Sequence, residues 1–181
     1  MADLRIETGR LVLRDWREED LPALHALCTD PAVMRTIGPL MSEDEARAML
    51  GKLQQRNTQF GHTFWAVERR EDSRVIGFCG TIRADVPIIE NEIEIGWRFA
   101  SDCWGKGYAT EAARATIAWL ADRYPGEPIY AFTAVINSRS RALMERLGMR
   151  RRMDLDFEHP KVPDDSDLKS HVTYELEPPT A

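Results

Sequence analysis

A strand that ends in a glycine-containing turn and runs directly into a helix constrains this chain more than any other feature. Ile93, Ile95 and Trp97 alternate with Glu92, Glu94 and Gly96, so Asn91 to Phe99 reads as a strand with two unlike faces. Trp104-Gly105-Lys106-Gly107 follows, and Ala109, Ala113, Ile117 and Leu120 then mark the core face of a helix from about Tyr108 to Arg123. Free N–H groups at such a helix start, uncovered by glycines without side chains, form a site for phosphate or pyrophosphate. A plain tight turn that uses glycine for its backbone freedom is the other reading of the same residues. No GK[ST] is present and the GxGxxG spacing is missing, which weakens nucleoside triphosphate and nicotinamide readings.

The remaining elements surround this junction. Arg10 to Trp16 alternates as a strand, and Glu18 to Thr29 reads as a helix with Leu21, Leu24 and Leu27 on one side. Ser42 and Glu45 have capping-box spacing ahead of Ala46, Met49, Leu50 and Leu53, a helix expected to end near Gln55. His62 to Arg70 and Arg74 to Ile82 form an expected antiparallel hairpin across Glu71-Asp72-Ser73. Ile129 to Ile136 is a strand, Ser138 to Leu147 a helix closed by Gly148, and the tail alternates again at Val172, Tyr174 and Leu176. Helices around this set of strands describe an α/β protein of the α+β type, with one mixed sheet and a single domain over 1–181.

Composition excludes several classes. Lys and Arg total 24 against 30 for Asp and Glu, a net charge of -6, so no global basic field draws in nucleic acid or an anionic membrane. Apolar runs are too short to span a bilayer, and the N-terminus has no signal-like apolar stretch, so the expectation is a soluble, unprocessed protein. Cys28, Cys79 and Cys103 lack CxxC spacing, and the four histidines show no ligand pattern. Both suggest a reducing cytoplasm and no metal.

A second motif resolves the first. Asn137-Ser138-Arg139-Ser140 through Leu147-Gly148-Met149 follows a strand, and with WGKGYATEA it resembles the GNAT superfamily of acyl-CoA-dependent N-acetyltransferases. GRLVLRDWREEDLPALHAL, EIGW and ATEAA are similar to the branch that includes the ribosomal-protein N-terminal acetyltransferases RimJ and RimL. The resemblance implies a mostly antiparallel sheet of six to seven strands, splayed at a central parallel pair. It further implies that acetyl-CoA binds with its pyrophosphate on the N–H groups of Gly105, Lys106, Gly107, Tyr108, Ala109 and Thr110. Trp104 stands where the family's Gln/Arg-x-x-Gly-x-Gly/Ala turn usually has its first residue. The edge of Trp97, Arg98 and Phe99 would pair with the pantetheine amides, and Asn137 and Ser140 would face that arm from the other side. For Asn137, capping the following helix is an alternative role that can coexist.

Transfer to an amine requires a base, an oxyanion donor and a proton for the departing thiolate. Glu94 is the first choice of base and Glu92 the second, each also readable as the polar face of a strand. A backbone N–H near Trp97 or Arg98 is the expected oxyanion donor. Many family members place an acid tyrosine seven residues after the motif asparagine, but Met144 stands there, which leaves Ser140 as the substitute. The expected acceptor is a protein N-terminal α-amine or a small-molecule amine, reached by direct transfer. The reading from a different class is a non-catalytic acetyl-CoA-binding regulatory module. A homodimer through the tail strands is a further expectation. Glu158 and His159 are either substrate contacts or solvent-exposed loop residues.

Overall fold

The computed structural model describes residues 4–177. Nine strands form one sheet in the order β1-β2-β3-β4-β5-β6-β9-β7, with β8 also paired to β9. They are β1 (Arg5–Glu7), β2 (Leu11–Arg14), β3 (Phe64–Arg69), β4 (Val75–Arg83), β5 (Ile93–Phe99), β6 (Ile129–Ala134), β7 (Arg150–Arg151), β8 (Phe157–Glu158) and β9 (Ser170–Leu176). Six have four or more residues and match the expected six to seven. The others are two- or three-residue strands, too short for alternation to reveal them.

Every pairing is antiparallel except β5 with β6. That parallel pair joins only at Ile93↔Ile129 and Glu94↔Tyr130, and beyond it the strands part. The sheet is thus splayed where the family resemblance implied.

Helices cover both faces. Ala112, Ala113 and Leu120 of α4 (Tyr108–Arg123) pack with Leu11, Leu13, Trp65, Ile93 and Ile95, joined by Met144 of α5 (Ser138–Arg146). On the other face, Leu24 and Leu27 of α1 (Leu21–Thr29) and Leu50 and Leu53 of α3 (Glu43–Phe60) cover Ala66 and Phe78. The period of two along each strand divides the apolar residues between these cores.

The capping box that opens α3 is realised: Ser42 N–H donates to Glu45 Oε2 at 2.7 Å and Glu45 N–H to Ser42 Oγ at 3.3 Å. The helix runs past Gln55 to Phe60, because the apolar stripe fades before the left-handed Gly61 (φ 74°) ends it. A short helix, α2 (Pro31–Met34), was not expected, although Asp30 caps it by accepting from Ala32 N–H at 2.8 Å and Pro31 occupies a favourable first position.

The tail strand β9 is flanked by β6 on one edge and by β7 and β8 on the other. Between those two short strands Arg152 N–H donates to Thr173 O, and Asp156 Oδ1 accepts from Thr173 N–H. Both edges of β9 are therefore paired within the chain. No helix among the described residues is long and apolar enough to cross a membrane.

Candidate active site

A cleft of about 1110 Å³ opens where β5 and β6 part. Its walls include Trp97, Arg98, Phe99, Trp104, Gly105, Gly107, Tyr108, Ala109, Thr110, Asn137 and Ser140, eleven of the residues singled out from sequence. Lys106 and Glu94 are not among the lining residues.

The glycine turn presents the start of α4 to this cleft. Gly105 (φ 74°) and Gly107 (φ 80°) are left-handed, a conformation that other residues adopt only at a cost, and Gly107 stands at the N-cap position. No side chain caps the helix, so its first amides stay available to an anion. The β1–β2 turn braces this loop from outside. Arg10 donates through Nη1 to Lys106 O at 2.9 Å and through Nε to Glu111 at 2.7 Å, while its guanidinium lies over the Tyr108 ring at 4.6 Å. Thr8 Oγ1 donates to the same Glu111 at 2.6 Å. The part of Lys106 that the turn fixes is its carbonyl.

Trp104 ties the turn back to the strand by donating Nε1–H to Phe99 O at 2.9 Å, and Arg139 lies over its ring at 4.3 Å. Sequence reasoning missed Thr8 and Arg10, because their roles depend on tertiary contacts between distant segments.

The direction of the β5 amides follows from its register. Ala100 N–H donates to Ile76 O and Ala84 N–H to Glu92 O, in one uninterrupted antiparallel register with β4. Even-numbered residues therefore turn their amide groups to β4, and Ile95, Trp97 and Phe99 turn theirs to the open side. This corrects the expectation for Arg98: its backbone is spent on β4, and it lines the cleft through its side chain. Of the two expected oxyanion donors, the N–H of Trp97 is the one that faces the opening.

Across the cleft, Asn137 Oδ1 accepts from Ser140 N–H at 3.2 Å, and Nδ2 donates to Thr133 Oγ1 at 2.9 Å. Asn137 is thus a helix cap that also lines the cleft. Ser140 Oγ accepts from Trp97 Nε1–H at 3.0 Å. An indole is a donor only, so the serine's own proton is left to point elsewhere. Met144, at the family's tyrosine position, is 1% exposed in the core.

Glu94 sits in the last β5–β6 pair, opposite Tyr130, at the fork itself. Its side chain leaves the strand on the α1/α3 face with Gly96 and Arg98. Burial raises its carboxyl to about 8, and the nearby charge of Asp85 adds to the rise, against the opposing influence of Arg56 and Lys161. Glu92 precedes β5 on the same face and is half-buried. Farther along this face, Phe132, Phe157, His159 and His171 form an aromatic cluster, with the two imidazoles 4.8 Å apart. His159 is therefore packed and half-buried, while Glu158 is exposed and accepts from Ser170 Oγ.

Burial raises the thiols of Cys28, Cys79 and Cys103 above their ordinary value, Cys79 to about 12, so none is poised as a nucleophile. Among the described residues no group of three His, Cys, Asp or Glu could hold a metal ion. Arg139, Arg141, Arg146, Arg150, Arg151 and Arg152 crowd one segment of this acidic chain; Arg151 pairs with Asp156 and Arg152 with Asp154 and Glu175, whereas Arg139 and Arg146 line the cleft.

A sheet forked at one parallel pair, with an uncapped glycine turn beside the fork, defines a coenzyme-binding acyltransferase architecture. The chain belongs to the GNAT acetyltransferase family: the model of the acetyltransferase (GNAT) domain matches residues 10–150. It is 30% identical to the uncharacterized N-acetyltransferase YnaD of Bacillus subtilis over 149 residues, covering 82% of this chain and 84% of that one. A GNAT-family acetyltransferase structure from Bacillus anthracis superposes with a TM-score of 0.79 at 25% identity, covering 96% and 98% of the two chains. RimL, a ribosomal L7/L12 alpha-N-protein acetyltransferase solved in complex with coenzyme A, shares the fold with a TM-score of 0.77 at 16% identity, covering 97% and 98%.

Members of this family use acetyl-CoA, and the residues present fit it. The two left-handed glycines leave an open cradle, and the free edge of β5 gives an extended arm amides to pair with.

Proposed function

We propose that the chain is a single N-acetyltransferase domain over 1–181 that acts in the cytoplasm. It transfers acetyl directly from acetyl-CoA to a primary amine, either a protein N-terminal α-amine of the ribosomal kind or the amine of a small molecule. The observation that carries this reading is the fork beyond Glu94↔Tyr130, with the glycine turn on the wall of the cleft that opens there and the half-buried Glu94 in the last pair before it. The α-amine reading draws on likeness to RimL.

When bound, acetyl-CoA supplies an acetyl group activated as a thioester. The amides of Gly105 to Thr110 hold its pyrophosphate, assisted by the helix dipole. Trp97 and Phe99 offer backbone groups to the pantetheine arm, and Trp97 N–H stabilises the oxyanion. Glu94, with a pKa near 8, takes the proton of the attacking amine directly or through water. Ser140 donates a hydrogen bond to the departing thiolate, oriented by the indole of Trp97.

The test is thiol release from acetyl-CoA with matched panels of N-terminal peptides and free amines, comparing wild type with Glu94→Gln and Ser140→Ala. Turnover that needs both acetyl-CoA and an amine, and that falls in both variants, is the expected result. Unchanged turnover in the pair of variants defeats the site assignment, and ping-pong kinetics or acetyl trapped on a cysteine defeats direct transfer.

A further inference from the structure

Two strand arginines, Arg14 buried and Arg98 half-buried, are treated very differently in this fold. Arg14, 6% exposed, donates from Nη1 and Nη2 to Asp20 at 2.7 and 2.9 Å and from Nε to Glu68 at 2.8 Å. Arg98 has no such set. Its Nη1 donates to Cys28 Sγ at 3.2 Å, its Nε is buried without a partner, and no ion pair among the described residues includes it. A thiol is a weak acceptor, and a guanidinium carries five N–H donors. The Phe78 ring, 5.2 Å from the guanidinium carbon, walls one side and holds the group in place. Burial without a counter-ion pulls the Arg98 pKa below its ordinary value.

Arg98 lines the main cleft together with Ala32, Val33, Thr36 and Ile37, from α2 and the loop after it. Glu111 is the one acidic residue among the described lining residues, and Arg10 and Thr8 already engage it. The protein thus offers Arg98 no carboxylate in the cleft.

Alternation on β5 decides which ligand could offer one. Trp97 points to the α4 face, where the glycine turn and Ser140 lie, whereas Arg98 points to the α1 face with Glu94 and Gly96. Glu94 and Arg98 are four residues apart on that face, ~13 Å between Cα atoms, and the Phe64 ring packs over Gly96 between them. Arg98 is, however, next in the chain to Trp97, whose N–H faces the opening, so an amine brought to that point of the cleft has an unpaired guanidinium nearby, on the side away from the coenzyme turn.

We infer that Arg98 is an anion subsite for the acceptor, and that the acceptor is a small primary amine carrying a carboxylate or phosphate a short chain from its nitrogen. This rests on the acetyl-transfer reading above and selects its small-molecule branch. A bidentate pair from the guanidinium to the acceptor's anion satisfies the donors that Cys28 and the cleft leave open.

The experiment compares thiol release from acetyl-CoA for alanine against alaninamide, and for phosphoethanolamine against ethanolamine, with a neutral N-terminal peptide alongside. Wild type, Arg98→Met and Arg98→Lys are measured. The expected result is a kcat/KM preference for one or both anionic members of at least about tenfold in wild type. That preference falls to about one in Arg98→Met and is partly kept in Arg98→Lys. The pair that shows it tells carboxylate from phosphate. Equal use of charged and neutral members, preference for the peptide, or a preference that survives Arg98→Met overturns the inference. So does an Arg98→Met effect confined to acetyl-CoA affinity, which would assign the guanidinium to the coenzyme.

If no amine is acetylated, the transfer reading fails by itself and binding decides the subsite. N-acetylalanine is titrated against N-acetylalaninamide by calorimetry into the CoA-saturated protein. An Arg98-dependent preference for the acid supports the subsite, and its absence overturns it.

Discussion

The indole of Trp97 on β5 donates to the hydroxyl of Ser140 on α5 at 3.0 Å, linking the two sides of the forked sheet by one hydrogen bond. Because the indole can only donate, it occupies a lone pair of Ser140 and leaves the serine's proton directed elsewhere. Trp97→Phe removes this orienting bond while keeping the ring, and Ser140→Ala removes the hydroxyl. We expect kcat to fall roughly tenfold in Ser140→Ala and a few-fold in Trp97→Phe. Adding Trp97→Phe to Ser140→Ala costs little more. A double-mutant cycle on kcat checks this, and fully additive losses refute the coupling.

Glu94 predicts a pH dependence in two observables. As a base with a pKa near 8, it makes kcat/KM rise with pH and level off at about that value, for an acceptor whose amine is already neutral across the range. Glu94→Gln lowers the plateau by roughly 10²-fold and removes the break.

The same shift acts on stability. The folded protein keeps a proton on Glu94 up to about pH 8, whereas the unfolded chain releases it near 4.5. This group's contribution therefore falls as pH rises from about 4.5 to about 8 and is flat above. Glu94→Gln should melt higher than wild type at pH 8.5, by ~3 °C or more, with no such gain at pH 4. Thermal scans at the two pH values read the difference directly.

Gly107 and Gly105 share a left-handed backbone but differ in their surroundings. A Cβ on Gly105 meets nothing within 4 Å, whereas one on Gly107 comes 3.4 Å from Arg10 Nη2 and stands at the mouth of α4. Gly105→Ala should cost about 1 kcal/mol of stability from backbone strain. Gly107→Ala should add to that a loss of CoA affinity of about tenfold or more, because it also disturbs the brace that holds Lys106 O. Calorimetric CoA binding beside urea unfolding separates the two effects, and equal CoA affinity in both variants contradicts the prediction.

The ion pair of Arg14 and Asp20, both nearly buried, gives a stability test away from the cleft. Asp20→Ala strands the guanidinium with Glu68 as its only carboxylate and should cost about 3–5 kcal/mol. Replacing Arg14 by Met in the same chain should recover part of that loss, since the uncompensated charge goes with it. Urea midpoints of the single and double variants decide, and a double variant no more stable than Asp20→Ala argues against a buried-charge penalty.

Local signals carried much of the fold into the sequence. The bounds of α4 follow from Gly107 and from the stripe of Ala109, Ala113, Ile117 and Leu120. The start of α3 follows from Ser42 and Glu45, and the two faces of β5 from strict alternation. These are effects within one or two turns of chain, so residue order suffices to express them. The glycine turn and the Asn137 cap were legible for the same reason. Strands of two residues and the short helix after Asp30 were not, because so few residues carry no period.

What only the tertiary structure decided concerns segments far apart in sequence. The register of β4 against β5 selects Trp97 over Arg98 as the amide facing the cleft, a choice that a strand's own sequence cannot express. The fork depends on where β6 stops pairing with β5, and the brace on the glycine turn comes from Arg10 in a distant hairpin. Arg14 and Arg98 are both strand arginines, yet one meets Asp20 and Glu68 and the other meets a thiol and an open cleft. Charge pairing depends on which groups the fold brings within a few ångströms, and that distance exists only once the chain has folded.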